Sequence, residues 1–294
     1  MRLAPSERAR FVLHRPDGSA FYDFEVETDA LACRTSGVRT GAAPPSYVHA
    51  LGDSFTMGWG VAAQDAWPAR LDALLGGRGE VVNLGVDGFG AIAATGRSRE
   101  TWPARPPRAA VYLFSPNDFD DDARASAEAG RGPLVHAGKR GFDALRRRVW
   151  LANAPFVAVW WRRFRPALAA EPAPPAAGGV LSEAAPPAAS ELEPPEATAA
   201  AVLSYRDLAA SRGVRFLLVA LDAPESRRMV AFARARGIDA RILAAAPSLF
   251  LAEGHLNEEG NRQLAVYVAR ALTEPRAPSS SAGGRVPGVS AGGG

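Results

Sequence analysis

The sequence is poor in the residues on which several classes of protein depend. Its 294 residues include one cysteine, Cys33, so an intrachain disulfide and a thiolate-rich metal site are excluded, and we expect Cys33 to be a buried, reduced thiol. Lys139 is the only lysine, which argues against Schiff-base chemistry. The 34 basic and 31 acidic residues leave a net charge of +3, so no nucleic-acid partner is predicted.

The sequence also shows no export signal, no membrane span and no cofactor motif. Residues 1–10 carry three arginines, but the apolar stretch that follows is too short for the core of a signal peptide. No apolar run reaches the ~20 residues of a spanning helix. Glycines spaced as in a dinucleotide fingerprint and a phosphate-binding Gly-Lys-Ser/Thr are both missing. We therefore expect a cytoplasmic protein that uses no cofactor or metal.

What the chain does contain is a hairpin pattern followed by alternating strands and helices. Residues 10–37 alternate apolar and polar side chains around Pro16-Asp17-Gly18, which predicts a small β-hairpin. Short apolar runs predict strands at 47–51, 81–84, 109–114, 214–221 and 240–244. Helical patterns lie at 66–75, 91–102, 142–164, 198–211, 224–236 and 258–272. The alternation predicts an α/β fold, a three-layer α/β/α sandwich around a parallel sheet of about five strands.

Composition divides the chain into a hairpin leader at 1–44, a main domain at 45–274 and a disordered Ser/Gly/Pro-rich tail at 275–294. Within the main domain, residues 166–195 are almost entirely Ala, Pro, Gly and Glu, which predicts a disordered insertion. Residues 149–163 mix aromatic side chains with terminal arginines. They suit either packing across the sheet or contact with a membrane surface or a protein partner.

The clearest chemical signal lies in residues 48–56. An apolar strand ends at Gly52, and Asp53 and Ser54 follow at once, so a hydroxyl is placed where a strand ends and a helix begins. Open parallel sheets bind ligands at this edge, and backbone N–H groups there face an anion. An ordinary serine N-cap would have the same sequence, so this segment alone leaves both interpretations open.

Three further segments bear on that choice. Gly88 follows the second predicted strand and, having no Cβ, can bring a backbone N–H close to a ligand. Asn117 follows the third strand and offers a side-chain amide. Glu253 and His255 precede the last helix and offer a carboxylate and an imidazole. Taken singly, each is also an ordinary turn or surface loop.

Together the four segments resemble the conserved blocks of the GDSL/SGNH hydrolase superfamily, which run from Gly-Asp-Ser through Asn-Asp to a histidine near the carboxyl terminus. The resemblance extends from about residue 47 to 272 outside the insertion and is closest over 52–61. It implies a bacterial SGNH-type esterase with a flavodoxin-like fold, in which Ser54 is the nucleophile and His255 the general base. It further implies an oxyanion hole made by the N–H groups of Ser54 and Gly88 and the side chain of Asn117.

One position departs from the family pattern in a way that matters. Ala252 stands where the family often has its acid, so Glu253 is the candidate for orienting His255, and otherwise the site is a Ser/His dyad. We expect Asp53 and Asp118 to hold their loops by hydrogen bonds. The acidic run at 118–122 lacks the spacing of a calcium loop, which favours a solvated helix start over a cation site.

The expected function is hydrolysis of a small-molecule or glycan-linked acyl ester. An O-acyltransferase would use the same acyl-serine intermediate, and a catalytically inactive binding module would keep the same fold. Residues 288–292 also spell Gly-x-Ser-x-Gly around Ser290, but neither a strand before them nor a histidine after them supports a second nucleophile.

Overall fold

The structure, a computed structural model, describes residues 3–14, 20–35, 47–77, 80–129, 179–185, 193–252 and 254–274. Its first sheet is the predicted hairpin, in which β1 (Arg8–His14) pairs antiparallel with β2 (Ala20–Glu27). Phe11 lies opposite Phe24, and Phe24 and Val26 are buried on the inner face. The hairpin therefore has one apolar face that must pack against another part of the chain.

The second sheet forms the centre of the molecule. It contains β3 (Tyr47–Gly52), β4 (Val81–Asn83), β5 (Pro107–Phe114), β6 (Leu181–Glu183), β7 (Arg215–Leu221) and β8 (Asp239–Ala245). The strand order is β4-β3-β5-β7-β8-β6, and every pair is parallel except β6 with β8. The five predicted strands are thus confirmed as parallel neighbours in the doubly wound order that flavodoxin-like proteins share.

Helices cover both faces of this sheet. They are α1 (Ser54–Met57), α2 (Trp67–Leu74), α3 (Ala91–Thr101), α4 (Asp118–Ala129), α5 (Glu196–Ser211), α6 (Pro224–Ala235) and α7 (Glu258–Thr273). Two short 3₁₀ turns lie at Ala63–Asp65 and Pro247–Leu249.

Alternate side chains of β5 point to opposite faces of the sheet and pack into two different hydrophobic cores. Tyr112 and Phe114 pack with residues of α3, α5 and α6, whereas Val111 and Leu113 pack with residues of α2 and α7. The predicted three-layer sandwich is confirmed. The helix predicted at 142–164 and the surface proposed at 149–163 lie outside the described residues. In the described ranges, none of the helices is long and apolar enough to cross a membrane.

The prediction of disorder throughout 166–195 is wrong for its middle. There Leu181–Glu183 is β6, an antiparallel edge strand on β8. The Leu181 N–H donates to Gln263 Oε1 at 2.6 Å, and Gln263 Nε2 donates to the Gly179 carbonyl at 2.9 Å. Long-range pairing with an available strand edge therefore orders a segment whose composition predicts none. Residues 166–178 and 186–192 lie outside the described residues.

Candidate active site

The candidate site lies where the chain reverses its direction of winding across the sheet. β3 lies between β4 and β5, so the connections on its two sides leave in opposite directions and open a crevice at the carboxyl ends of the strands. Ser54 lies two residues after the end of β3, and Asn117 lies in the turn that follows β5. The topology thus places two segments that are distant in the sequence at one end of the sheet.

Asp53, not Ser54, is the N-cap of α1. The Asp53 carboxylate accepts the Phe55 N–H at 2.9 Å, so the serine hydroxyl is not used for capping. Gly52 has a φ of +146°, and a Cβ there would lie 2.4 Å from Thr56 Oγ1 and 2.7 Å from the Leu113 carbonyl oxygen. The Gly-Asp-Ser sequence therefore forms a tight turn that leaves the Ser54 hydroxyl free of the helix end, and the interpretation of Ser54 as an ordinary N-cap is wrong.

The Ser54 hydroxyl instead contacts the imidazole of His255. Ser54 Oγ and His255 Nε2 are 2.8 Å apart, although the two residues are separated by 201 positions in the chain. Ser54 is 6% exposed, whereas the His255 ring is partly exposed to solvent. A neutral imidazole with its proton on Nδ1 accepts the serine proton at this distance. The arrangement is a hydroxyl paired with a base.

The loop that carries His255 is fixed from both sides. The Leu251 N–H donates to the His255 carbonyl at 2.6 Å, which closes a turn ahead of α7. Asn257 caps α7 by accepting the Gly260 N–H at 3.0 Å, and its Nδ2 donates to the Ser248 carbonyl at 2.8 Å. Glu253, the acid predicted to orient His255, lies outside the described residues.

The two remaining predicted site residues are placed as follows. Asn117 Nδ2 donates to Asp53 Oδ2 at 3.2 Å and to Asp121 Oδ2 at 2.9 Å, so its amide lies next to the residue that precedes Ser54. Gly88 is exposed in the turn after β4 and has a φ of +74°, a left-handed conformation that favours glycine. Asn117 is therefore connected directly to the turn that carries Ser54.

Burial dominates the electrostatics behind the serine. Loss of hydration raises the pKa of Asp53 to about 6, against the opposing effects of the Phe55 and Asn117 hydrogen bonds. Asp118 is fully buried, and desolvation together with the charge of Asp53 raises its pKa well above the usual range. The Tyr112 hydroxyl donates to Asp118 Oδ2 at 2.5 Å. As expected, Asp53 and Asp118 both hold their loops by hydrogen bonds.

The acidic run at 118–122 does begin a helix, but the prediction that its carboxylates are solvated holds only for Asp120 and is wrong for the other three. Asp118, Asp121 and Asp122 are all buried. Asp122 accepts the N–H groups of Ala91 at 3.2 Å and Ile92 at 2.9 Å, so it caps the neighbouring α3. Within the described ranges, no group of three or more His, Cys, Asp or Glu side chains could hold a metal ion. The acidic run therefore connects α4 to α3 through hydrogen bonds of the Asp122 carboxylate.

Sequence reasoning missed the structural importance of Arg34, which follows the buried free thiol of Cys33. The Arg34 Nη1 donates to the carbonyls of Met57 at 2.7 Å and Gly58 at 2.6 Å, at the end of α1. Its Nη2 donates to the Glu25 carbonyl in β2 at 2.8 Å and to the Val61 carbonyl at 2.9 Å. The residues around Arg34 in the sequence gave no signal for this role, because Thr35 and Ser36 follow it as in an ordinary polar turn.

Cys33 matches its prediction as a buried thiol. Burial raises the pKa of Cys33 to about 11, so the thiolate form is disfavoured at neutral pH.

Comparison with known proteins identifies the family of the chain. The GDSL-like Lipase/Acylhydrolase family matches residues 50–263, so the chain belongs to that family and is an SGNH-type esterase or lipase-like hydrolase. Comparison with curated proteins finds no matching sequence.

Several solved structures are similar to the chain. A G-D-S-L family protein from Desulfitobacterium hafniense DCB-2 is 16% identical with a TM-score of 0.43, over 76% of this chain and 98% of that one. AlinE4, an SGNH-hydrolase family esterase, is 14% identical with a TM-score of 0.35, over 79% and 97%. A carbohydrate acetylesterase family member from Sinorhizobium meliloti is 15% identical with a TM-score of 0.36, over 77% and 97%.

Proposed function

We propose that the protein hydrolyses carboxylic esters through an acyl-Ser54 intermediate. The observation that carries the proposal is the 2.8 Å contact between Ser54 Oγ and His255 Nε2 at the carboxyl end of the parallel sheet. A serine hydroxyl is a weak nucleophile on its own and needs an adjacent base to remove its proton. Because Asp53 caps α1, the hydroxyl of Ser54 is available for this purpose.

The proposed reaction has two stages. As Ser54 Oγ attacks the ester carbonyl carbon, His255 Nε2 takes the serine proton and a tetrahedral intermediate forms. The carbon–oxygen bond to the alcohol then breaks, and the same nitrogen returns the proton to the departing oxygen. Water repeats the sequence on the acyl-Ser54 ester and releases the carboxylic acid.

The negative oxygen of the tetrahedral intermediate needs hydrogen-bond donors that are already in place. We assign this role to the N–H groups of Ser54 and Gly88 and to Asn117 Nδ2. The position of Asn117 beside Asp53 supports the assignment, since Asp53 immediately precedes the nucleophile. One Asn117 N–H has to leave a carboxylate and turn toward the substrate oxygen when the intermediate forms.

Two further assignments complete the proposal. Glu253 orients His255 and stabilises the imidazolium that forms during the attack, because Ala252 has no acceptor side chain. The substrate is an acyl ester of a small molecule or of a glycan, since the chemistry at Ser54 requires only an ester carbonyl.

Chromogenic esters of increasing acyl length test the function directly. We expect the wild-type protein to release alcohol and acid, and Ser54→Ala and His255→Ala to lower kcat by roughly 10⁴-fold or more. Ser211→Ala, an exposed serine at the end of α5, is the matched control and should match wild type. No turnover in wild type would favour a binding module, and acyl transfer to added alcohols in preference to water would favour an acyltransferase.

A further inference from the structure

Two aromatic rings flank the imidazole of the candidate base. The Phe55 ring lies 4.9 Å from His255 between centroids with the planes tilted by 44°, and the Trp59 ring lies 6.0 Å away with a tilt of 32°. Both residues come from the nucleophile helix or the turn after it. All three rings are partly exposed, so they belong to the surface that a substrate meets.

The aromatic surface continues from Trp59 onto the amino-terminal hairpin. The Trp59 centroid lies 5.4 Å from Phe11, 5.8 Å from Tyr22 and 5.2 Å from Phe24. Phe24 is buried beneath, whereas Phe11 and Tyr22 are partly exposed. The hairpin therefore extends an apolar surface that begins at His255; we call Phe11, Tyr22, Phe55 and Trp59 the aromatic shelf.

The chemistry of the reaction decides which half of the ester meets this shelf. When the tetrahedral intermediate collapses, its carbon–oxygen bond to the alcohol breaks with the electron pair on the alcohol oxygen. The proton on His255 Nε2 moves to that oxygen, leaving acyl-Ser54 and a neutral imidazole. The departing oxygen must then lie within hydrogen-bond distance of Nε2, so its substituent lies against the groups that flank the imidazole.

We propose that the aromatic shelf is the leaving-group subsite and that it selects esters of alcohols that carry an aromatic ring. This inference rests on the proposed ester hydrolysis at Ser54. A flat apolar ring on the alcohol would remove shelf surface from water and pack against Trp59, as the rings of Phe11 and Tyr22 already do. The acyl group, which stays on Ser54 after the alcohol leaves, does not depend on the shelf.

The test compares benzyl acetate with ethyl acetate, whose shared acetyl group gives the same acyl-Ser54 intermediate. We expect wild type to have a kcat/KM for benzyl acetate roughly 10-fold or more above that for ethyl acetate, and Trp59→Leu to abolish most of this preference. Trp102→Leu removes the same ring from the far end of α3 and is the matched control, in which the preference should persist. Tyr22→Ala, on the hairpin, should reduce the preference in part.

The ratio of the two kcat/KM values isolates the subsite, because damage to the fold or to Ser54 lowers both values together. Hydrolysis of ethyl acetate without a preference for benzyl acetate would overturn the shelf and leave the esterase proposal intact. A Trp59→Leu variant that keeps the preference would also overturn the shelf. Ethyl phenylacetate carries its ring on the acyl side. If Trp59→Leu lost activity on ethyl phenylacetate but kept wild-type activity on benzyl acetate, the assignment of the shelf to the alcohol would be overturned. Failure to hydrolyse any of the esters would overturn the esterase proposal and the subsite with it.

Discussion

Arg34 links the hairpin to the end of α1, the helix that begins at Ser54, and replacing it with methionine tests that connection. Its side chain is buried, with 5% of the residue exposed, and donates to four backbone carbonyls, of Glu25, Met57, Gly58 and Val61. Burial lowers the pKa of Arg34 to about 10, so the guanidinium remains charged at neutral pH. Methionine retains much of the apolar stem but has no donor.

The size of the effect follows from which carbonyls lose their donors. The Met57 carbonyl keeps a second donor, Asn83 Nδ2 at 3.4 Å, and the Gly58 carbonyl keeps the Val61 N–H at 3.5 Å. The carbonyls of Glu25 and Val61, by contrast, accept from Arg34 Nη2 and lose that donor in the methionine variant. An unsatisfied buried acceptor costs about 1–3 kcal/mol, so the loss of donors to two carbonyls should lower the free energy of unfolding of Arg34→Met by about 2–6 kcal/mol.

Urea unfolding followed by circular dichroism measures this loss. Arg10→Met is the matched control, because Arg10 lies on the exposed face of the hairpin in an ion pair with Asp23, and its unfolding curve should overlie that of wild type. Arg34→Lys keeps the charge without the planar fork and should recover only part of the stability. A midpoint for Arg34→Met equal to that of wild type would show that these hydrogen bonds do not stabilise the fold.

Three predictions concern the site itself. Asn117→Ala should lower kcat by roughly 10²–10³-fold with a smaller effect on KM, and an unchanged kcat would remove it from the oxyanion hole. Burial raises the pKa of Asp53 from 3.8 to about 6. Between these two pH values the folded protein keeps a proton on Asp53 that the unfolded chain has released. The contribution of Asp53 to stability therefore falls as the pH rises from 3.8 to about 6. Asp53→Asn should therefore gain stability relative to wild type in urea unfolding between about pH 4 and about pH 7, and a pH-independent difference would contradict the raised pKa. Glu253→Gln should lower kcat by roughly 10-fold or more, though by less than His255→Ala does. Glu258→Gln is the control, because Glu258 is exposed, and it should keep the kcat of wild type. Equal kcat values for the two glutamine variants would exclude Glu253 from the site.

Periodicity identified the parallel strands because each is an apolar run buried on both faces, as the burial of β5 from Ala109 to Phe114 shows. The same order of strands brings Ser54 and His255 together, so the central pair of the site could be predicted from the sequence blocks. β6 could not, since its three residues are only partly buried or exposed and gain their order from β8 and Gln263.

Side-chain environments were harder to predict than backbone elements. A run of aspartates is usually solvated, but Asp118 is covered by packing against β5 and donors such as the Tyr112 hydroxyl. Arg34 gave no local pattern for its role, because its four acceptors come from backbone carbonyls up to 27 residues away in the chain. Such contacts depend on how the hairpin packs, which a local sequence window does not contain.

Labelling by a fluorophosphonate, followed by intact mass and peptide mapping, tests whether Ser54 is the nucleophile. An activated serine next to a base and an oxyanion hole attacks the phosphorus and displaces fluoride, so we expect a single adduct on Ser54 that forms slowly in His255→Ala and is absent from Ser54→Ala. An adduct that survives Ser54→Ala, or one mapped to another serine such as Ser290, would show that Ser54 is not the nucleophile.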